Sequence, residues 1–266
     1  SGTNIDESLF NKIINFRSRS DDEVGFNDWK DLPPIQPNRT DVYFFGEVGS
    51  GKSCILASIF YYAHKEGLEI ISSNNPIGSN YKNLLINNLK YGILPTRTAV
   101  EGVNYIPIDL RHPKDPSFIN PLNFIEMSGE KYNKTYEHGI DADSIGAREY
   151  LNNNNKKIIV FIIDYNRHMD ALEDASANIG VSQDLKLVTT LGLLDQNGTL
   201  KNTDAIYIAI TKSDLFPNGV SKMDHAKQFL DEDYKSLLVN LKDLRERKYK
   251  KSFDVIYFPY TLGEVK

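Results

Sequence analysis

The sequence has little sulfur and no surplus of positive charge. Cys54 is the only cysteine among 266 residues, so an intrachain disulfide is excluded and a reducing compartment is favoured. Five scattered histidines lack the spacing of a zinc site. Lys and Arg total 31 against 36 Asp and Glu, a formal charge of −5, so nothing in the composition attracts nucleic acid.

Long apolar runs are also absent. No stretch of the sequence approaches the roughly 20 apolar residues that cross a bilayer. The first residues do not pair a basic segment with an apolar one, as a secretory leader would. We therefore predict a cytoplasmic protein with no membrane segment in this chain and no nucleic-acid partner.

What the sequence does contain is an alternation of short apolar strands and amphipathic helices, which is typical of an α/β fold with helices on both faces of a sheet. We predict a three-layer domain over residues 41–266, with a mostly parallel six-stranded sheet and one antiparallel edge strand. Residues 1–40 are predicted as an N-terminal helix and linker, with a docking segment for a partner as the alternative. The Asn-rich run at 152–155 is interpreted as a solvated loop. The predicted strands are 41–45, 104–109, 122–127, 157–164, 205–210 and 253–258, and the predicted helices are 52–66, 79–91, 170–194 and 221–247.

Residues 46–53 read GEVGSGKS and match the phosphate loop G-x-x-x-x-G-K-[ST] between an apolar strand and a helix. Glycines let the backbone amides surround a β-phosphate, and the helix N-terminus adds partial positive charge. Lys52 would bridge the β- and γ-phosphates, and the Ser53 hydroxyl would bind Mg²⁺. The predicted nucleotide-binding residues of this loop are Gly46, Glu47, Val48, Gly49, Ser50, Gly51, Lys52, Ser53 and Cys54.

A second motif, TKSD at 211–214, follows a predicted strand at the sheet edge where open α/β folds bind ligands. The carboxylate of Asp214 can accept from the ring N–H and the exocyclic amine of guanine, a pair of donors that adenine does not present. The stem of Lys212 can lie along the base. The order of the two motifs predicts a guanine nucleotide, GTP or GDP.

With these two motifs the sequence resembles the P-loop GTPases of the Ras-like, translation-factor-related superfamily, from about residue 41 to 263. The base motif of that family usually reads Asn-Lys-x-Asp, so Thr211 is a departure that weakens one supporting hydrogen bond. The resemblance also implies guanine contacts from the loop after the last strand, at Thr261 and Leu262. It further implies a closing helix, which this sequence lacks before Lys266.

The same resemblance assigns the magnesium site. An Asp-x-x-Gly turn of the family corresponds to residues 126–129, EMSG, so Glu126 would hold Mg²⁺ through water and the Gly129 amide would bind the γ-phosphate. Glutamate is one methylene longer than the family's aspartate, and Mg²⁺ tolerates little deviation from octahedral geometry. A threonine that binds Mg²⁺ and senses the γ-phosphate corresponds to Thr98, with Thr96 as the second choice.

Hydrolysis is predicted to be slow. The water-orienting glutamine of Ras-like enzymes corresponds to Glu130, whose carboxylate would lie near the γ-phosphate charge. Arg97 is a candidate cation to offset that charge. Val48 replaces a family glycine and would crowd an incoming catalytic group. The assigned catalytic residues are therefore Lys52, Thr98, Gly129 and Glu130.

Three functions fit these residues. The first is a regulatory GTPase whose Mg²⁺- and GTP-ordered loops are read by an effector or regulator protein, with relatives among GTPases of bacterial multi-protein conflict systems. The second is a GTP-binding module without turnover. The third is an ATP-dependent P-loop ATPase or phosphotransferase, for which the base motif would be accidental. Homodimerisation across the nucleotide is compatible with the superfamily.

Overall fold

The computed structural model describes residues 25–72, 75–95, 102–140, 146–168 and 182–262. Its centre is a seven-stranded sheet, in the spatial order β2-β3-β4-β1-β5-β6-β7. The strands are β1 (Thr40–Phe45), β2 (Glu69–Ser72), β3 (Val103–His112), β4 (Asp115–Met127), β5 (Lys156–Asp164), β6 (Thr203–Thr211) and β7 (Asp254–Pro259).

Helices cover both faces of the sheet, which separates two hydrophobic clusters. The cluster on one face contains residues of the first two helices, and the cluster on the other contains residues of the remaining five. This is the predicted α/β layer architecture. The helices are α1 (Lys52–Lys65), α2 (Pro76–Lys90), α3 (Gly129–His138), α4 (Ala147–Leu151), α5 (Gln183–Gln196), α6 (Lys222–Asp233) and α7 (Lys235–Asp243).

The central strands are buried on both faces because helices lie above and below them. β5 has the pattern KKIIVFIID, and Ile159, Phe161 and Ile163 are completely buried. Such continuous apolar runs are typical of parallel strands. β1 pairs in parallel with β4 on one side and with β5 on the other. The carboxyl ends of these three strands therefore meet at one edge of the sheet.

The sheet has one strand more than predicted. β2 is only four residues long and alternates between exposed and partly exposed positions, so it carries no buried apolar run. It pairs antiparallel with β3, which itself pairs antiparallel with β4. The antiparallel strand is thus β3, one position inside the edge. The residues between the predicted strands 104–109 and 122–127 form the far end of a long β3–β4 hairpin, in which Asp109 pairs with Pro121.

Helices were predicted at the right places, with different limits. The long helix predicted over 221–247 divides at Tyr234, where φ is −119° and ψ is 30°. The first of the two helices is capped at its start, since the Ser221 side chain accepts from the Asp224 backbone amide. α5 begins after Ser182, and residues 170–181 of the predicted helix 170–194 lie outside the described ranges. α3 and α4 were not predicted.

The N-terminal segment packs against the domain. The predicted helix at its start lies outside the described residues, but residues 25–39 run along the main body. Trp29 is 2% exposed and belongs to the larger hydrophobic cluster. Phe26 forms an antiparallel bridge to Val103 through two backbone hydrogen bonds of 2.9 and 2.8 Å. The Asp28 carboxylate lies 3.2 Å from the Lys131 ammonium in the first turn of α3.

The interpretation of residues 152–155 as a solvated loop was wrong for two of its asparagines. Asn155 is buried, and the side-chain amides of Asn153 and Asn155 donate to opposite oxygens of Asp41 at 2.8 and 2.9 Å. A completely buried carboxylate requires such donors. Burial, the largest influence, still raises the pKa of Asp41 above its usual value, against these hydrogen bonds and the charge of Lys157. The network lies at the sheet edge opposite the phosphate loop.

No helix in the described part of the chain is long and apolar enough to cross a membrane.

Candidate nucleotide-binding site

The phosphate loop lies between β1 and α1, where the sequence predicted it. Gly51 has φ +94°, a left-handed conformation that favours glycine, and it precedes the first turn of α1 without a side-chain cap. A helix N-terminus of this kind is a general binding site for phosphate groups. The Lys52 ammonium donates to the carbonyls of Gly46 and Glu47, both at 2.8 Å, so the loop curls around its own lysine.

A cavity of about 400 Å³ opens above this loop. Gly129 and Glu130 at the start of α3 lie on its wall, as the resemblance implied. Leu94 and Pro95 also line it, and in the sequence they directly precede the segment with Thr96 and Thr98. Both threonines, and Arg97, lie outside the described residues. The cavity is lined by Val48, Gly49, Ser50, Gly51, Lys52, Ser53, Cys54, Leu94, Pro95, Gly129 and Glu130.

A larger cavity of about 570 Å³ lies between β2 and the helices α1 and α2. Its lining includes Lys82 and Asn87 but no residue of the phosphate loop or of the base motif. The larger of these two cavities is therefore not the one beside the predicted nucleotide-binding motifs.

Two of the three residues assigned to Mg²⁺, Ser53 and Glu126, are hydrogen-bonded to each other. Glu126, fully buried in β4, lies with Oε1 2.5 Å from the Ser53 hydroxyl that donates to it. Its other oxygen accepts from the Tyr81 hydroxyl at 2.8 Å and from the Asn104 amide at 3.1 Å. These two donors fix the carboxylate so that the extra methylene of glutamate is accommodated. An anchored carboxylate beside a hydroxyl at the phosphate loop is a set of hard oxygen donors that fits Mg²⁺.

Gly129 approaches the phosphate loop so closely that only glycine fits. A Cβ built on Gly129 would lie 2.2 Å from the backbone nitrogen of Val48 and 2.4 Å from its Cα. The adjacent Ser128 begins α3 by accepting from the Lys131 amide at 3.1 Å. The strand-to-helix turn at Glu126 to Gly129 therefore presses its glycine against the loop residue that replaces a family glycine.

The base motif contacts the phosphate loop directly. The Thr211 hydroxyl lies 2.8 Å from the carbonyl of Ser50 and 3.1 Å from that of Ile163. A Cβ on Gly51 would lie 3.2 Å from the Thr211 methyl, so the two segments pack tightly. Threonine thus keeps a hydrogen bond between the base motif and the phosphate loop, although the usual asparagine is absent.

The loop after the last strand also reaches the base motif. The Asp214 carboxylate is exposed and accepts from the Thr261 hydroxyl at 2.9 Å. The backbone amide of Ser213 donates to the Tyr260 carbonyl at 3.1 Å. Thr261 and Leu262, implied only by resemblance, therefore lie beside Asp214, at the same edge of the sheet as the phosphate loop.

The Cys54 thiol lies near the phosphate loop but is not activated for chemistry. Burial, and next to it the Glu126 carboxylate, raises the pKa of its thiol to about 11. A thiol with so high a pKa stays protonated at neutral pH and is a poor nucleophile.

Among the described residues, no group of three or more His, Cys, Asp or Glu side chains is arranged as a metal cluster.

Three charged residues around the site, Arg167, Lys186 and Asp164, were not found from the sequence. Glu47, whose side chain is 6% exposed, pairs with Arg167 and with Lys186 of α5. Burial, the largest influence, would raise the pKa of Glu47, but its two basic partners together lower it below the usual value. Asp164, at the end of β5, pairs with Lys212 at 2.8 Å. A carboxylate that ends a buried strand, as Asp164 does, is the signal that could have indicated it.

Comparisons with known proteins give similarity of structure and none of sequence. No protein-family model matches the chain, and no curated protein matches it. The signal recognition particle receptor SRb-GTP/SRX complex from Chaetomium thermophilum is 15% identical, with 86% of this chain and 94% of that chain covered and a TM-score of 0.49. A nucleolar GTP-binding protein 1 from Plasmodium falciparum is 12% identical, with 86% and 80% covered and a TM-score of 0.37. Similarity this low does not say which ligand this chain binds.

Proposed function

We propose that this chain binds GTP and GDP with Mg²⁺ and hydrolyses GTP slowly, as a regulatory switch. The observation that carries the proposal is the hydrogen bond from Thr211 to Ser50, which brings the guanine-type motif to the phosphate loop at one edge of the sheet. A base on Asp214 and phosphates on Lys52 would then belong to one nucleotide. Mg²⁺, held by Ser53 and by Glu126 through water, would supply charge neutralisation to the phosphates.

Calorimetric titration of the nucleotide-free protein with GDP, a non-hydrolysable GTP analogue and the matching ATP analogue tests this proposal. Guanine nucleotides are expected to bind at least about a hundredfold more tightly than ATP, because adenine lacks the pair of donors that the Asp214 carboxylate accepts from. Lys52→Ala is expected to remove most affinity for all three. Equal binding of ATP would instead favour the ATP-dependent class, and the base motif would then be accidental.

The same geometry supports slow turnover. Val48 lies against Gly129 and Glu130 in the cavity wall, where a water-orienting group must work. We expect an intrinsic rate below about 10⁻² per second, the range of switch GTPases that lack an activator. Val48→Gly is expected to raise this rate several-fold, with Val48→Ala in between. Phosphate release under single-turnover conditions measures it, and a wild-type rate above about 1 per second contradicts slow intrinsic hydrolysis.

A non-hydrolysing module is the second candidate, and the crowding of Val48 against Gly129 favours it over a fast enzyme. The turnover assay also separates these two. GTP that stays intact over many hours with Mg²⁺, in wild type and in Val48→Gly alike, would identify a binding module.

The proposed switch includes the N-terminal segment, because this segment contacts residues that lie close in the sequence to both predicted nucleotide-sensing regions. Phe26 is bridged to Val103, which follows the segment carrying Thr98, and Asp28 pairs with Lys131, two residues after Gly129. Trp29, directly after these two contacts, is the only tryptophan in the chain. Its fluorescence is therefore expected to differ between the GDP and GTP-analogue complexes, and Asp28→Asn should reduce the difference. Identical spectra in both complexes would contradict a switch that involves this segment.

A further inference from the structure

Asp164 holds the lysine of the base motif. It is the last residue of β5, and its side chain is 4% exposed. Oδ2 lies 2.8 Å from the ammonium of Lys212, whose side chain is 40% exposed. The pair therefore joins a fixed, buried carboxylate to a long side chain at the border of solvent.

The carboxylate of Asp164 is itself firmly oriented. The side-chain amide of Gln183 accepts from the Asp164 backbone N–H at 3.0 Å and donates to its carbonyl at 2.9 Å. Oδ1 accepts from the backbone amide of Arg167 at 3.2 Å. Because the backbone and Oδ1 of Asp164 have partners other than Lys212, the direction of Oδ2 toward Lys212 is set by the fold.

The same short segment is tied to the phosphate loop. Arg167, three residues after Asp164, pairs through its guanidinium with Glu47, and Lys186 pairs with the other oxygen of Glu47. Asp164 therefore has a fixed place relative to the loop that would carry the phosphates. A lysine anchored to Asp164 is then placed relative to the phosphates as well.

A lysine needs such an anchor to act on a base. Its stem has several rotatable bonds, and ordering it on a base costs rotamer entropy. Lys212 has φ +58° and ψ +36°, a left-handed conformation that sets the start of the stem, but this does not fix its end. The ion pair with Asp164 fixes the ammonium of Lys212. With the backbone and the ammonium both fixed, the apolar stem between them can lie along a flat base.

We infer that Asp164 is a positioning residue for guanine recognition, which acts by holding the Lys212 stem along the base. This inference rests on the proposed nucleotide binding. Asp164 touches Lys212 and not the base, so its removal should weaken the affinity for the base portion of the nucleotide and leave the affinity for the phosphates unchanged.

A double-mutant cycle tests the inference. Asp164→Asn keeps the shape, the Gln183 bonds to the backbone and an oxygen for the Arg167 amide. It is expected to weaken GDP binding about tenfold, the effect of losing one hydrogen bond between charged groups. In the Lys212→Met background the same change should cost less than about twofold, because its target is gone. Inorganic tripolyphosphate, which has no base, should bind all four proteins equally.

Two results overturn the inference. One is an equal loss of GDP affinity from Asp164→Asn with and without Lys212, and the other is a matching loss of tripolyphosphate affinity, since either indicates a general structural role. If Asp164→Asn does not fold, Lys212→Met decides alone: unchanged GDP affinity overturns the inference. Failure of the wild type to bind GDP refutes the proposed function itself, which is a separate outcome.

Discussion

Asp214→Asn is expected to convert the preference for guanine into a preference for xanthine. The Asp214 carboxylate can accept from both donors of guanine, the ring N–H and the exocyclic amine. An asparagine amide offers one acceptor and one donor, which suits the ring N–H and the C2 carbonyl of xanthine. The affinity for GDP should fall by at least about a hundredfold, because a misplaced donor in a hydrogen-bonded site rejects the wrong partner.

Titration with GDP, xanthosine diphosphate and ADP measures this change. Asp231→Asn, an exposed carboxylate on α6 outside the cavity lining, is the matched control and should leave all three affinities unchanged. The gain for xanthine matters most, since loss of GDP binding alone could follow from a damaged loop. If Asp214→Asn binds GDP as the wild type does, the base motif does not read the base.

The elements that the sequence predicted are those in which a single physical demand, such as burial on both faces or a tight glycine turn, determines the residue types. Continuous apolar runs such as that of β5 indicated buried parallel strands, and the glycines and Lys52 of the phosphate loop indicated the turn between β1 and α1. β2 was missed because its side chains are only partly buried, so nothing in its pattern demands a strand. The break at Tyr234 was missed because the apolar spacing continues across it.

In the candidate site, the residues that belong to motifs were predicted from the sequence, and the residues that anchor them were not. Ser53 and Glu126 were assigned from their places in motifs, and the structure brings them within 2.5 Å. The anchors of these residues come from distant parts of the chain: Tyr81 and Asn104 bind Glu126, and Lys186 binds Glu47 across 139 residues. A single sequence contains no pattern for such pairs, because they depend on how the crossovers place separate elements.

Gly129 is the position where one added methyl group should have the largest effect on the response to the γ-phosphate. Gly129→Ala would place a Cβ 2.2 Å from the Val48 backbone nitrogen, far inside contact distance. Both neighbours are backbone, and neither can rotate away, so the start of α3 must move from the phosphate loop. Since the Gly129 amide is assigned to the γ-phosphate, affinity for a GTP analogue should fall by about a hundredfold, the cost of losing a charge-assisted hydrogen bond together with its alignment.

GDP lacks that phosphate, so its affinity should fall far less, and the ratio of the two affinities is the measurement. Gly192→Ala is the matched control, because Gly192 lies within α5 and a Cβ there meets no atom within 4 Å. It should leave both affinities unchanged and raise stability slightly through helix propensity. An equal fall for GDP and for the GTP analogue in Gly129→Ala would mean that α3 supports the phosphate loop in general, and that the γ-phosphate is sensed elsewhere.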